Sequence, residues 1–351
     1  MTGRGAVIQG SLAVAALAAA YLTWQREPGL STGEVIAVDL AKSDLEKVRY
    51  EDKESKSWVA LGRGKDDNGS FVTVHLSGSD SSGVALPSGH PFVPLKVPER
   101  VVRANEAGAR LYERFAPLRA SRSLGVLDAA KLKDLGLDTT KKHLEIAGRG
   151  GKRRFGIVPA PPGGNDPYVR DEADGRVYII ARQLLSDLQA ASTNLVERRL
   201  HSFRLEDVDA VTVTAGAKKK ELKASRFEDL PGVRLAPVAT PDQADSTAKN
   251  WHDRVWNLFP SEVMGKTETP DEGPPVVAIR IDYRSRGRPL GWVELARNAK
   301  KPAAAATESP AQAAPAGPES AYGRSEFTLG WMKLSTEAFT LMTEGESLAG
   351  K

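Results

Sequence analysis

The chain of 351 residues has no cysteine, which excludes disulfides, iron–sulfur clusters, thiolate zinc sites and cysteine nucleophiles. Histidine is scarce and scattered. His75, His90, His143, His201 and His252 show no metal-ligand spacing such as His-x-x-x-His, so each reads as a surface or strand histidine, and no metal or other cofactor is expected. Aromatic residues make up only 6% and do not interleave with the basic patches. With Lys+Arg 49 against Asp+Glu 45 the net charge is a slight +4, and this combination argues against nucleic-acid binding. There is no Gly-x-x-x-x-Gly-Lys-Ser/Thr sequence: Arg149-Gly-Gly-Lys152 is basic and glycine-rich but lacks that order and opens no helix. Gly78-Ser-Asp-Ser-Ser-Gly83 places serines between glycines without a strand-to-helix elbow, and reads as a flexible loop. Paired catalytic carboxylates need a cleft, and the one repeated pair, Asp44 and Asp207, stands where an acidic side chain ordinarily caps a turn. The expectation is a protein that is not an enzyme, with an envelope hydrolase using Asp44 or Asp207 as the open alternative.

Long apolar runs are equally rare, with one exception. Ala6 to Trp24 carries no charge, is preceded by Arg4 and is followed by Arg26 and Glu27. At about 1.5 Å per residue such a helix approaches the about 30 Å of bilayer hydrocarbon, with Tyr21 and Trp24 at the far interface. The stretch is rich in alanine and includes Gln9, Gly10 and Ser11, so two readings stand: a signal anchor, or a cleaved secretory signal with Ala18 and Ala20 at the small-residue positions. The anchor reading gives a single-pass inner-membrane protein, its N-terminus cytoplasmic and its C-terminal body periplasmic.

What the body has in quantity is self-similarity. Leu40-Ala-Lys-Ser-Asp44-Leu-Glu-Lys-Val-Arg-Tyr50 aligns with Phe203-Arg-Leu-Glu-Asp207-Val-Asp-Ala-Val-Thr-Val213 at a constant offset. Each is an acidic turn leading into an alternating strand, then a charged hairpin and a return strand, Trp58–Leu61 or Glu221–Ala224. Helices follow at Ala104–Leu118 and Thr247–Phe259, by the three- and four-residue spacing of Ala104, Ala107, Leu111, Phe115 and Leu118 and of Trp251, Val255, Leu258 and Phe259. Hairpins at 143–158 and 276–295, strands at 176–180 and 329–334, and helices through Leu184 to Leu195 and Phe339 to Leu348 complete the parallel. The expected fold is α+β: an N-terminal transmembrane helix (1–29), then tandemly duplicated antiparallel β-rich modules with helices packed on the sheets, at 30–199 and 200–351. An Ala/Pro-rich insertion at 300–320 reads as disordered and Leu76–Pro98 as a polar loop.

Basic residues gather at the predicted hairpin tips: Arg149, Lys152, Arg153 and Arg154, then Lys218, Lys219 and Lys220, then Arg284, Arg286 and Arg288. Solvated turn charges are the plain reading, and contact with an anionic lipid or polysaccharide is the functional one. Trp251, Trp256, Trp292 and Trp331 offer rings for a cell-envelope polysaccharide or peptidoglycan binding module, although most fall on predicted core faces.

The set Arg119-Ala-Ser-Arg122, Leu135-Gly-Leu-Asp138, Tyr168-Val-Arg170, Arg176-Val-Tyr178 and Arg198-Arg-Leu200 followed by Phe203 and Asp207-Val208 resembles a bacterial family of unknown function. Its members look like membrane-anchored proteins encoded beside gliding-motility-type, auxiliary-transport ABC transporters. The resemblance covers Leu30 to Leu230, and the C-terminal half only through the internal repeat. It implies an N-terminal anchor, a β-rich extracytoplasmic body, and a role as accessory subunit to ABC transporter permease and ATPase partners. It supplies no catalytic residues to carry over.

Overall fold

Alternation drives the architecture. In Leu45–Asp52, Val48 and Tyr50 are buried while Lys47, Arg49 and Glu51 stand on the other face, the period-two pattern of a half-buried strand, and a register irregularity between Leu45 and Lys47 lets Leu45 face the core as well. The computed structural model describes residues 33–67, 69–79, 96–161, 163–226, 233–270, 273–298 and 320–350. The strands in chain order are β1 (Val35–Val38), β2 (Leu45–Asp52), β3 (Ser57–Asp66), β4 (Gly69–Ser79), β5 (Lys96–Arg103), β6 (Leu118–Ala120), β7 (Arg122–Val126), β8 (Lys142–Gly148), β9 (Gly151–Val158), β10 (Tyr168–Asp171) and β11 (Arg176–Ile179). After them come β12 (Ala210–Ala215), β13 (Lys218–Arg226), β14 (Val233–Pro237), β15 (Pro260–Val263), β16 (Pro275–Ser285), β17 (Arg288–Asn298), β18 (Ala321–Ser325) and β19 (Met332–Leu334). The α-helices are α1 (Glu106–Glu113), α2 (Ala129–Asp134), α3 (Arg182–Gln189), α4 (Ala191–Asn194), α5 (Ser246–Trp256) and α6 (Glu337–Ala349).

These strands form a two-stranded sheet, β1 with β6, and two large antiparallel sheets. The first large sheet runs β5-β4-β3-β2-β8-β9-β10-β11-β7, and the second β14-β13-β12-β16-β17-β18-β19-β15. From β4 and β14 onward the two orders coincide strand for strand, with β5 the extra member of the first. Equivalent rungs agree as well: Val48 lies between Leu61 and Ile146, and Val211 between Leu222 and Tyr283. Asp44 and Asp207 each end a short 3-10 turn, Lys42–Asp44 and Leu205–Asp207, at the entrance to these strands.

The expected α+β class is corrected by this result. Among the described residues strands account for 46% and helices for 21%, so the fold they form is mostly β. The physical reason is that each hairpin and the following meander join edge to edge, through β2–β8 and β12–β16, into one continuous sheet. The helices are also shorter than their apolar spacing suggests. The helix expected over 104–118 stops at Glu113, because Pro117 lacks an N–H and disfavours helical backbone at Ala116, and Leu118 enters β6 instead. The helix expected through Leu195 breaks into two after Gln189. Leu76–Ser79 and Lys96–Pro98, read as loop, extend β4 and β5. Of the strand expected at 329–334, Met332–Leu334 is formed. Ala6–Trp24 and Lys300–Glu319 lie outside the described residues, and among the described residues no helix is long and apolar enough to cross a membrane.

One face of each large sheet carries a core. Leu45, Val48, Tyr50, Leu144, Ile146 and Phe155 pack under α1 and α3 through Leu111, Tyr112, Leu184 and Leu188. Tyr112 also donates its hydroxyl to Leu45 O at 2.7 Å, satisfying a phenol that burial would otherwise penalise. In the second sheet Val211, Val213, Ile279, Ile281 and Leu295 lie beneath α5 and α6, where Trp251 donates Nε1–H to Leu341 O at 2.8 Å. Gly345 sets that approach: a Cβ there would meet Ile279 Cδ1 and Trp251 Cζ2, each at 2.9 Å. The opposite faces carry Lys47, Arg49 and Glu51 in the first sheet and Arg280, Asp282 and Glu294 in the second.

Candidate functional site: the open sheet faces and the joint between them

The joint between the two large sheets begins at edge strand β5. Arg103 stands opposite Thr73 of β4, and its guanidinium lies 3.7 Å from the Phe71 ring centroid and 4.5 Å from that of Phe327, which follows β18. Its Nε–H donates to Phe327 O at 2.8 Å and its Nη2 pairs with Asp66. The side chain is only 10% exposed, so a planar, permanently charged group with several donors is the residue type the position requires. Three residues earlier, Arg100 Nη2 reaches Glu262 at 2.7 Å and Glu268 at 2.8 Å. Backbone bonds reinforce both pairs, since Lys266 N–H donates to Val101 O and Glu197 N–H to Arg103 O.

Glu197 anchors the linker between the sheets. Burial pushes its carboxyl upward, but the Arg199 guanidinium and the backbone N–H groups of Arg198 and Arg199 outweigh that and hold it below the ordinary carboxylate value. Farther along the linker, His201 stacks on Trp256 of α5 with ring centroids 3.5 Å apart. Burial lowers His201 to about 4 and lowers His252, fully buried on α5 with both ring nitrogens unpartnered, to about 4 as well.

The open face of the second sheet is a ladder of alternating rings and guanidinium groups. Arg280 lies 4.5 Å from Trp292, and Arg324 lies 4.3 Å from Trp331 and 6.0 Å from Trp292. Glu294, 10% exposed in its side chain, accepts from Arg280 at 3.0 Å and from Arg324 at 2.7 Å. Beside it, burial raises the Glu326 carboxyl, whose Oε2 takes the Trp292 N–H while Oε1 is buried without a partner.

On the first sheet, Lys47, Arg49 and Glu51 of β2, His143 and Glu145 of β8 and Arg154 of β9 line a hollow of about 260 Å³. Arg49 also covers Trp58 at 4.2 Å. A larger open hollow of about 690 Å³ lies between α1 and β6, where Lys42 pairs with Glu113 at 3.5 Å and Arg119 with Glu34 at 4.0 Å.

Residues 104–230 match a domain of unknown function, DUF4340. That match runs from the end of β5 across the linker and through β13, so it spans both sheets and the connection between them. No curated protein and no solved structure matches the chain.

The hairpin cations do not form one patch. Arg149 (3.7 Å from Asp44), Lys152 (3.5 Å from Glu145) and Arg153 belong to the first sheet, and Arg153 donates Nε–H at 2.8 Å to Asp171, a fully buried carboxylate. Lys218 lies opposite Ala215 at one end of β12, whereas Arg284 lies opposite Ala210 at the other, which separates Lys218–Lys220 from Arg284–Arg288. Lys219 pairs with Glu221 at 2.6 Å and Lys220 with Asp245 at 3.0 Å, while Arg286 donates its backbone N–H to Asp209. The tryptophans are occupied too: Trp251 is buried, and Trp256, Trp292 and Trp331 each have a ring face covered by His201, Arg280 or Arg324. Asp44 and Asp207 stand on separate sheets, each closing its own turn. Among the described residues no cluster of three or more His, Asp or Glu could hold a metal, and His90 lies outside them.

Arg100, Arg103, Arg280 and Arg324 were not singled out by sequence patterns, although their signal is present. A charge at every second position opposite an apolar face marks Lys47, Arg49 and Glu51, and Arg280 and Asp282. Only register reveals their partners.

Proposed function

We propose that the chain is a non-enzymatic accessory subunit of an ABC transporter of the gliding-motility, auxiliary-transport type. It acts at the inner membrane from the extracytoplasmic side, scaffolding assembly of permease and ATPase subunits or contacting the exported substrate. The observation that carries this reading is the joint: Arg103 and Arg100 tie together two broad sheets, each with one open charged face, a framework suited to holding partners in fixed relation. The uncharged Ala6–Trp24 stretch and the sequence resemblance supply the membrane and the transporter. ATP hydrolysis belongs to a partner subunit in this account.

The test is to tag the C-terminus, solubilise native membranes in mild detergent, and identify the co-purifying proteins and the mature N-terminus by mass spectrometry. Recovery of an ATPase and a multi-span permease with residue 1 or 2 at the N-terminus is the expected result. A cleaved protein that brings down no transporter component overturns it.

A further inference from the structure

We infer that the open face of the first sheet carries a binding subsite for one small anionic group, a carboxylate or a phosphate. The inference requires neither the membrane nor a transporter. It starts from register: Arg49 of β2 lies directly opposite Glu145 of β8, which lies directly opposite Arg154 of β9. Lys47 precedes Arg49 by two residues and shares its face. Three cations therefore surround the hollow of about 260 Å³, against two lining carboxylates, Glu51 and Glu145, which leaves one positive charge in excess.

Those cations retain donors. Arg103, Arg280 and Arg324 all make side-chain hydrogen bonds at 3.0 Å or less, whereas Arg49 approaches Glu51 only to 3.8 Å and Arg154 approaches Glu51 and Glu172 only to 3.9 and 3.5 Å. Among the described residues, Lys47 makes no ion pair and none of the three makes a side-chain hydrogen bond. Two guanidinium groups with unused N–H donors facing one hollow are the chemistry that recognises a carboxylate or phosphate.

His143 lines the same hollow. Its Nε2 lies 3.4 Å from Glu172, and its Nδ1 is buried with no hydrogen-bond partner. Burial, then the neighbouring Arg154, lowers the His143 pKa. The volume suits one small group rather than an extended ligand.

The full chain, purified in detergent, is titrated by calorimetry at constant ionic strength with D-glucuronate, inorganic phosphate and neutral D-glucose. In parallel, the 19F signal of Trp58, assigned with a Trp58→Phe variant of the 5-fluorotryptophan-labelled protein, reports movement of the Arg49 that covers its ring. Saturable binding of at least one anion with a shift at Trp58 is expected. Arg49→Gln and Arg154→Gln should each weaken it about tenfold, the loss of one charge-assisted pair, while Lys219→Gln on the other sheet leaves it unchanged. Saturation by phosphate alone assigns a phosphate, and saturation by glucuronate alone or by both shows that the subsite accepts a carboxylate. Glucose binding as tightly as the anions, no saturable response to either anion, or unchanged affinity in folded Arg49→Gln and Arg154→Gln proteins would overturn the inference.

Discussion

Arg103 of the first sheet donates Nε–H to the carbonyl of Phe327 in the second at 2.8 Å, and the same guanidinium lies 4.5 Å from the Phe327 ring. One side chain thus reads both the backbone and the ring of a residue 224 positions away. The Phe71 ring, 3.7 Å from the same guanidinium, helps to fix the plane of that donor.

Replacing Arg103 with lysine keeps the charge and loses the plane. The expected cost is about 1–3 kcal/mol, from one charge-assisted hydrogen bond and two cation–π contacts at a site nearly closed to solvent. Urea unfolding followed at the tryptophans measures it. A midpoint equal to that of the unmodified protein would show that the planar group is dispensable.

Acid stability follows from the buried imidazole groups. His252 and His201 titrate near 4 in the folded protein, against 6.5 for a free imidazole, so the unfolded chain binds more protons between those values. Their stabilisation is fully present above about pH 6.5 and is lost as pH falls towards 4, with His252 accounting for up to about 3 kcal/mol. His252→Leu should flatten the dependence of unfolding free energy on pH between 6.5 and 4. An unchanged slope would mean that His252 is protonated without cost.

Gly330 tests the joint through the backbone. A Cβ there would meet the carbonyl oxygens of Gly265 and Met264 at 2.5 and 2.7 Å, and neither can rotate away. Gly330→Ala should cost about 1–3 kcal/mol and raise amide exchange in residues 262–268 while β2 and β8 stay protected. Uniform exchange across both sheets would place the strain elsewhere.

Asp171 is fully buried and accepts from Arg153, whose side chain stays 39% exposed. Asp171→Asn should destabilise by roughly 2–4 kcal/mol, below the figure for a wholly buried pair because solvent screens the arginine. Asp174→Asn, at the exposed end of the same arginine, should cost less than about 1 kcal/mol. Equal losses in thermal unfolding would contradict the burial argument.

The sequence carries the strands more clearly than their assembly. Val48 and Tyr50 against Lys47 and Arg49 reveal a half-buried strand by alternation alone, and the match of Leu40–Tyr50 to Phe203–Val213 locates equivalent strands in the two halves. Neither discloses that β2 pairs with β8 as well as with β3, because pairing partners nearly a hundred residues apart leave no local mark. The same limit hides the joint. Arg100 and Arg103 read as ordinary charges on a short alternating stretch, and only the approach of Glu262, Glu268 and Phe327 gives them a role. The hairpin lysines and arginines show the converse, since composition gathers them while the two ends of β12 hold them apart.

The central claim is that the joint makes two sheets one body, and the absence of cysteine allows a direct test. Lys152→Cys and Lys219→Cys, exposed positions on different sheets, are spin-labelled in the full chain, and the distance between them is measured by pulsed electron resonance. The account predicts a single narrow distance distribution that broadens when Arg103→Ala is added. A broad or multimodal distribution with Arg103 in place would contradict it.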